Sequence, residues 1–258
     1  MTRYVRFAKD PSIPATAPDS HPGVGKGVYD QGRIFVEGGE QWPIQQARLL
    51  PAVSPSKIVC VGRNYADHAK ELGNVVPAEP IIFLKPPSSL NAHLGRIVYP
   101  KLSQMVSFEG ELGVVIGKRA RRLAPGEGMS CVAGYTIVND VTARDLQKKD
   151  GQWTRGKGFD TFCPVGPWWV PKEQVDFDSL RIQTRVNGEI RQDGSVKDML
   201  FSVDAILCYI TAFMTLEPGD LIATGTPPGV GPMEQGDKVE VEIPGLGVLE
   251  NTVVPEQD

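Results

Sequence analysis

The sequence has no surplus of charge of one sign, no cysteine framework and no long hydrophobic run. Its 258 residues contain 27 Lys and Arg against 31 Asp and Glu, which gives a formal net charge of −4 at pH 7. Without a basic surplus, neither nucleic acid nor an anionic membrane surface is an expected partner. No apolar run approaches the ~20 residues that cross a bilayer, and the first residues lack the apolar segment of a signal peptide. We expect a globular protein with no nucleic-acid and no membrane partner.

The four cysteines are widely spaced and none belongs to a C-x-x-C pair. Cys60, Cys131 and Cys208 lie in apolar runs, where cysteine usually serves as a small buried hydrophobe. This pattern suits a reducing compartment better than a secreted disulfide scaffold. We therefore predict a cytoplasmic location.

Glycine and proline are frequent, with 28 and 22 residues, and they separate short apolar runs. This distribution predicts a mainly β fold with many turns and a few helices. Residues 1–52 predict a small N-terminal β domain, and the Pro-rich stretch 51–56 marks its junction with a larger domain over residues 53–258. Ser202 is placed to cap a buried helix over residues 203–214.

The stretch 108–117 combines an apolar strand pattern with two acidic residues. Residues two apart in a strand point to the same face, so Glu109 and Glu111 aim their carboxylates into one volume. A second predicted strand, over residues 132–140, ends in Asp140. Three carboxylates from two strands can form an oxygen cage for a hard divalent ion. The alternative is that both glutamates lie on the solvated face of an edge strand, because acidic residues are mostly exposed.

Asn64 follows a short buried strand and is placed to cap a helix that runs through Leu72. On such a helix His68 and Glu71 are neighbours, because residues three apart share one face. A carboxylate beside an imidazole fixes its tautomer and raises its basicity, which is typical of a general base. An exposed polar pair of no chemical role is equally compatible with this spacing.

Two lysines and one loop are candidates to bring positive charge and hydrogen-bond donors to a site of this kind. Lys85 ends a predicted strand, where it is either solvated or placed to neutralise an acidic cage. Lys157 lies between two glycines that let the backbone place it in a pocket. Thr142 is placed to cap a helix from whose first turns Arg144 and Gln147 project near Asp140. The loop 225–231 lacks the ending of a phosphate-binding loop, but its glycines can present backbone N–H groups to a carboxylate.

A second Glu-x-Glu pattern, Glu240 and Glu242, lies in the last predicted hairpin. No third carboxylate strand follows it, so we assign this pair to a solvent-facing edge.

Taken together, several stretches resemble the fumarylacetoacetate hydrolase family, and they occur in the order that the family shows. They are residues 61–68 (VGRNYADH), 83–86 (FLKP), 108–112 (FEGEL), 134–140 (GYTIVND), 142–147 (TARDLQ), 157–160 (KGFD) and 224–231 (TGTPPGVG). Each stretch is modest alone, whereas their ordered combination is specific. The resemblance runs from about residue 57 to the C-terminus, and the N-terminal unit matches only weakly.

The resemblance implies a mixed β-sandwich or β-roll fold, usually a homodimer, with one Mg²⁺ or Mn²⁺ ion. By motif, the implied metal ligands are Glu109, Glu111 and Asp140, and the implied catalytic residues are His68, Glu71 and Lys157. The implied substrate contacts are Arg63, Gln147 and Thr226. The implied substrate is a small 2-oxo or 2,4-diketo acid.

Three kinds of reaction fit this chemistry. A hard cation that chelates a 2-oxo acid stabilises a metal-bound enolate, and Lys157 adds positive charge near the oxyanion. If His68 activates a water, the result is hydrolysis of a C–C bond in an acylpyruvate or fumarylpyruvate. If water is excluded, the same enolate supports decarboxylation or tautomerisation of oxaloacetate. It also supports the isomerase and decarboxylase reactions of aromatic catabolism, on 2-hydroxyhepta-2,4-diene-1,7-dioate or a related tricarboxylate. A binding protein without catalysis is disfavoured by the complete set of polar residues.

Overall fold

Strands dominate the computed structural model of the chain, which describes residues 1–66 and 76–257. The strands in these ranges are β1 (Arg3–Ala8), β2 (Val24–Asp30), β3 (Arg33–Val36), β4 (Gln41–Pro43), β5 (Arg48–Leu49), β6 (Ile58–Gly62), β7 (Ile81–Lys85), β8 (Leu90–Asn91), β9 (Arg96–Tyr99), β10 (Val106–Ser107), β11 (Gly110–Ile116), β12 (Val132–Asn139), β13 (Thr142–Ala143), β14 (Cys163–Pro171), β15 (Arg181–Val186), β16 (Glu189–Ser195), β17 (Leu221–Ala223), β18 (Pro232–Met233), β19 (Lys238–Ile243) and β20 (Gly247–Pro255). The predicted mainly β fold is confirmed.

Three α-helices with both ends in the described ranges accompany the strands: α1 (Arg144–Asp150), α2 (Thr154–Lys157) and α3 (Val203–Phe213). The predicted cap of α3 is confirmed, since the Ser202 hydroxyl accepts a hydrogen bond from the Ala205 amide at 3.2 Å. The predicted cap of α1 is wrong. Thr142 lies in β13, and its hydroxyl donates to the Asp140 carbonyl instead.

The strands form three sheets. The largest has the order β4-β3-β2-β1-β14-β12-β11-β17-β6-β7, with β5 beside β1 and β8 beside β14. A five-stranded sheet has the order β16-β15-β19-β20-β9, and a small sheet has the order β13-β10-β18. The main core lies between one face of the large sheet and the five-stranded sheet. It contains Leu112 and Val114 of β11, Ile182 of β15 and Val241 of β19.

Strand β11 lies in the middle of the large sheet, between β12 and β17, and all seven of its residues are buried. Its apolar, β-branched run explains both the strand and its burial. The edge-strand alternative for the first Glu-x-Glu pattern is therefore wrong, because Glu109 and Glu111 are only 5% and 1% exposed.

Residues 1–52 form β1 to β5, which pack around a small cluster that includes Val5, Phe7 and Ile34. This unit extends the large sheet, because β1 pairs with β14 through Tyr4 and Trp169. The Tyr4 and Trp169 rings stack with their centroids 4.3 Å apart. The domain boundary near residue 52 stays a prediction.

Within the described ranges, no helix is both long and apolar enough to cross a membrane. All four cysteines are free, and three of them are buried, while Cys208 is half-buried. The cytoplasmic location stays a prediction.

Candidate metal centre and active site

Three carboxylates meet where β11 begins and β12 ends. Glu109 immediately precedes β11, Glu111 is its second residue, and Asp140 follows the last residue of β12. The antiparallel pairing of β11 with β12 places Gly110 opposite Asn139 and so brings the three residues together. The Asp140 amide also donates to the Glu109 carbonyl at 2.8 Å. One oxygen from each side chain lies within 4.8 Å of the other two.

Three cationic side chains surround this acidic cluster. Lys157 at the end of α2 donates to Glu109 Oε2 at 2.8 Å and to Asp140 Oδ2 at 2.7 Å. Lys85 at the end of β7 donates to Asp140 Oδ1 at 2.6 Å. Arg144 at the start of α1 forms an ion pair with Glu109 Oε1 at 2.5 Å. Both lysines are almost completely buried, so these contacts form in a region of low dielectric.

Glu111 has a different environment from the other two acids. The Gly225 amide donates to its Oε2 at 2.8 Å. Burial raises the pKa of Glu111 well above its usual range, and the negative charges of Asp140 and Glu109 raise it further. Lys157 and the Gly225 amide oppose this shift without cancelling it. A bound cation would therefore stabilise the ionised form of Glu111.

Lys157 remains protonated in this environment. Burial acts to lower its pKa, but the charges of Asp140 and Glu109 outweigh burial and raise the pKa of Lys157 above its usual value. Its ammonium group is thus a permanent positive charge next to two of the three carboxylates.

The donor set fits a hard divalent ion. Mg²⁺ and ions like it take oxygen ligands at ~2.0–2.1 Å in octahedral geometry, which places ligand oxygens about 3–4 Å apart. One oxygen of each carboxylate lies within 4.8 Å of the other two, so the three side chains are close enough to share one ion. With all side chains ionised, three carboxylates and three cations cancel, so a divalent ion would give the centre two positive charges.

A pocket of about 520 Å³ opens beside the carboxylates. The residues that line it include Glu109, Glu111, Arg144 and Lys157. Trp153 and Phe83 form an aromatic wall, with ring centroids 5.1 Å apart in an edge-on arrangement. Trp153 also packs against Gly62, where a Cβ would lie 2.6 Å from the indole ring.

All three predicted substrate contacts line this pocket. Arg63 has a left-handed backbone with φ of 57°, and its guanidinium lies 6.0 Å from the Trp153 ring centre. The Gln147 side chain accepts from Arg144 at 3.1 Å. The Thr226 hydroxyl donates to the Gly110 carbonyl at 2.8 Å and accepts from Gln192 Nε2 at 2.7 Å. Their contact with substrate stays a prediction, as do the roles of the metal ligands and of Lys157.

His68 and Glu71 lie outside the described residues, so the predicted acid/base pair is neither placed nor tested. Asn64 lies in the described range just before this segment, and its side chain makes three hydrogen bonds. Its Nδ2 donates to the carbonyls of Phe201 and Thr224 at 3.1 and 2.8 Å, and its Oδ1 accepts from the Phe201 amide at 2.8 Å.

Sequence reasoning missed several residues of this site. Trp153 and Gln192 have no motif that marks them. Trp153 is placed by α2, since the Lys157 amide donates to its carbonyl at 2.9 Å, whereas Gln192 reaches Gly110 only through long-range packing. Arg144 was expected near Asp140, and it lies beside the same acidic cluster, where its ion pair is with Glu109. The loop that starts at Gly225 does present an N–H to a carboxylate, but that carboxylate is the chain's own Glu111.

Comparison with known proteins agrees with this fold. A model of the fumarylacetoacetate (FAA) hydrolase C-terminal domain matches residues 57–254, and the chain belongs to that family. A 2-hydroxyhepta-2,4-diene-1,7-dioate isomerase structure from Mycobacterium marinum is 41% identical, with a TM-score of 0.86 over 100% of both chains. A fumarylpyruvate hydrolase structure from Pseudomonas aeruginosa, in complex with Mn²⁺ and pyruvate, is 33% identical. It covers 88% of this chain and 98% of its own, with a TM-score of 0.74. The mitochondrial oxaloacetate tautomerase of Homo sapiens is 47% identical over 216 residues, which are 80% of this chain and 69% of that protein.

Proposed function

We propose that this protein is a divalent-metal-dependent enzyme that hydrolyses a C–C bond in a small 2-oxo or 2,4-diketo acid. The observation that carries the proposal is the buried cluster of Glu109, Glu111 and Asp140 at the wall of a pocket, with Lys157 bonded to two of them. A cluster of this composition is costly to bury even with its cationic partners, since each charge loses its hydration in a protein interior. A binding site for a divalent cation and an anionic substrate explains its presence.

Each polar residue of the site has a separate role in this proposal. Glu109, Glu111 and Asp140 hold one Mg²⁺ or Mn²⁺ ion. This ion would act as a Lewis acid on the carboxylate and 2-oxo oxygens of the substrate. Lys157 keeps a fixed positive charge beside the oxyanion, where preorganised charge lowers the barrier most effectively. Lys85 orients the Asp140 carboxylate through its 2.6 Å hydrogen bond to Oδ1.

Two further cations favour a substrate with a second carboxylate. Arg63 and Lys148 line the pocket, and neither forms an ion pair with a residue of the ranges 1–66 and 76–257. Arg144 and Lys157, by contrast, are both engaged with acids of the cluster. We therefore favour a 2-oxo dicarboxylate such as fumarylpyruvate over a monocarboxylate such as acetylpyruvate.

Hydrolysis needs a group that activates water, and His68 paired with Glu71 is our candidate. On this proposal, His68→Ala abolishes hydrolysis and spares metal binding. Loss of metal binding in that variant would contradict the assignment of the pair.

Tautomerisation or decarboxylation of oxaloacetate is the second candidate, because a relative 47% identical to this chain is an oxaloacetate tautomerase. This reaction requires the enolate and a proton transfer but no attacking water. The related isomerase and decarboxylase reactions on 2-hydroxyhepta-2,4-diene-1,7-dioate or a tricarboxylate belong to the same alternative.

A substrate panel distinguishes these candidates. The protein is stripped with EDTA, reloaded with Mg²⁺ or Mn²⁺, and assayed with fumarylpyruvate, acetylpyruvate, oxaloacetate and 2-hydroxyhepta-2,4-diene-1,7-dioate. Hydrolysis predicts release of pyruvate from the first substrate and no activity before reloading. Turnover of oxaloacetate without pyruvate release from either acylpyruvate would favour the second candidate. Unchanged activity after chelation would overturn the metal-dependent mechanism altogether. Homodimer assembly stays a prediction that gel filtration with light scattering can test.

A further inference from the structure

Gln192 is a buried residue that no part of the proposed chemistry uses. It lies on β16 in the five-stranded sheet and is 0% exposed. Its Oε1 accepts from the Gly110 amide at 3.0 Å and from the Thr184 hydroxyl at 2.7 Å. Its Nε2 donates to the Thr226 hydroxyl and to the Pro227 carbonyl, both at 2.7 Å. All four hydrogen-bonding positions of the carboxamide are therefore occupied, so its orientation is uniquely defined.

Gly110 is the residue between the two glutamates of the cluster. Its N–H donates to Gln192, and its carbonyl accepts from Thr226, which is itself bonded to Gln192. These three residues form a closed ring of hydrogen bonds around Gly110. The ring holds both peptide planes that carry Glu109 and Glu111, because one plane contains the Gly110 N–H and the other its carbonyl.

The neighbouring strand cannot provide these bonds. Strand β17 ends at Ala223, which pairs with Gly113, and so it stops short of Gly110. The side chains of Gln192 and Thr226 take the place of a strand at this point. The approach is close, since a Cβ at position 110 would lie 2.2 Å from the Thr184 hydroxyl. This contact explains why glycine separates the two acids.

We propose that Gln192 is a positioning residue that sets the backbone of the two glutamates for binding a divalent ion. The inference rests on the proposed function, in which those glutamates are metal ligands. Gln192 itself touches neither the acids nor the pocket, so its effect is transmitted through Gly110 and Thr226. Residues that orient metal ligands from outside the ligand set typically change metal affinity by about 10–100-fold when they are lost.

The test replaces Gln192 by methionine, which has a similar length and no amide. The dissociation constant for Mn²⁺ is measured on EDTA-stripped protein by the electron paramagnetic resonance signal of free Mn²⁺. We expect Gln192→Met to weaken Mn²⁺ binding about tenfold or more. Asn251→Leu is the matched control, since Asn251 is a buried amide of the same sheet that donates to the carbonyls of Ala92 and Gly95 at 2.8 Å. It should lower the melting temperature and leave Mn²⁺ binding unchanged.

Thr226 provides a second route if Gln192→Met fails to fold. Thr226→Val breaks the ring from the opposite side and should weaken Mn²⁺ binding, whereas Thr226→Ser keeps the hydroxyl and should retain it. Equal Mn²⁺ affinity in wild type and Gln192→Met, or equal affinity in the Val and Ser variants, would overturn the positioning role. Failure of the wild-type protein to bind Mn²⁺ at all would instead overturn the proposed function, and the inference with it.

Discussion

The Nδ2 of Asn64 and the carboxylate of Glu111 bind opposite sides of one peptide unit. Asn64 donates to the Thr224 carbonyl at 2.8 Å, and the N–H of the same unit, which belongs to Gly225, donates to Glu111 at 2.8 Å. Hydrogen bonds in such a chain polarise one another, so the bond at the carbonyl strengthens the bond at the amide. The arrangement also requires glycine, because position 225 has φ of 97° and a Cβ there would lie 2.7 Å from the Cβ of Asn64.

Gly225→Ala is therefore expected to displace the amide from Glu111. We expect a loss of stability of about 1–3 kcal/mol from backbone strain and a weaker affinity for Mn²⁺. Gly236→Ala is the matched control, because position 236 has φ of 96° and no neighbour within 4 Å of a Cβ. It should share the backbone strain and keep the wild-type Mn²⁺ affinity in the same titration. Equal Mn²⁺ affinities in the two variants would show that the Gly225 amide has no part in metal binding.

The two Glu-x-Glu patterns give a direct test of the acidic cluster. Glu109→Gln removes a proposed ligand and should weaken Mn²⁺ binding by more than roughly 100-fold, since even outer residues contribute 10–100-fold. Glu240→Gln changes the same residue type in the same sequence pattern, but Glu240 pairs with Lys238 at 3.0 Å. It should leave both Mn²⁺ affinity and activity unchanged. A comparable loss in both variants would argue against a site at Glu109.

Lys157→Met removes the buried charge next to Glu109 and Asp140. Loss of one partner of a buried ion pair destabilises a protein by about 3–5 kcal/mol, and loss of one preorganised charge in a site lowers kcat by about 10²–10³-fold. Because a divalent ion replaces part of the missing charge, Mn²⁺ should raise the melting temperature of the variant more than that of the wild type. Lys57→Met, which removes the partner of buried Asp220, serves as control and should keep full activity. Wild-type kcat in Lys157→Met would refute the role of this lysine.

The raised pKa of Glu111 predicts a pH dependence with a defined sign. A carboxyl group whose pKa is higher in the folded state stabilises the fold when protonated, and that contribution is lost as the pH rises through the folded-state pKa. As the pH rises above the ordinary titration range of a glutamate, the metal-free wild-type protein should thus lose stability relative to Glu111→Gln. The loss should be on the order of 1 kcal/mol per pH unit. Urea unfolding of both proteins in EDTA across this range measures the difference. A constant difference at every pH would show that Glu111 has no raised pKa.

Arg63→Met tests the proposed preference for a second carboxylate. A hydrogen bond to a charged group contributes about 1.5–3 kcal/mol, so KM for a 2-oxo dicarboxylate should rise roughly tenfold or more. The KM for acetylpyruvate should stay unchanged. Arg122→Met is the control, since Arg122 has a similar φ of 55° and is exposed, away from the pocket. Equal effects of Arg63→Met on both substrates would contradict the preference.

Local sequence patterns predicted much of the fold. The apolar run of β11 and the Ser202 cap both depend on neighbours within a few residues, and both are found as predicted. The failed prediction, the Thr142 cap, also concerns a local choice. In the folded chain Thr142 pairs with Ser107 in a small sheet instead of capping the helix.

The sequence by itself determined which chemical groups the site contains: an ordered set of carboxylates, lysines and glycines whose family resemblance the comparisons confirmed. Only the tertiary structure decided which Glu-x-Glu pattern is buried. The predicted edge position of Glu240 and Glu242 is wrong, because β19 is the central strand of its sheet. Both faces of β11 are covered, whereas one face of β19 leaves Glu240 and Glu242 half-buried. It also decided the residues that hold the site from a distance. Asn64 reaches Thr224 across 160 residues and Gln192 reaches Gly110 across 82. Contacts over such separations leave no periodic signal in a sequence. The first arises from the pairing of β6 with β17 in one sheet, and the second from the packing of one sheet against another.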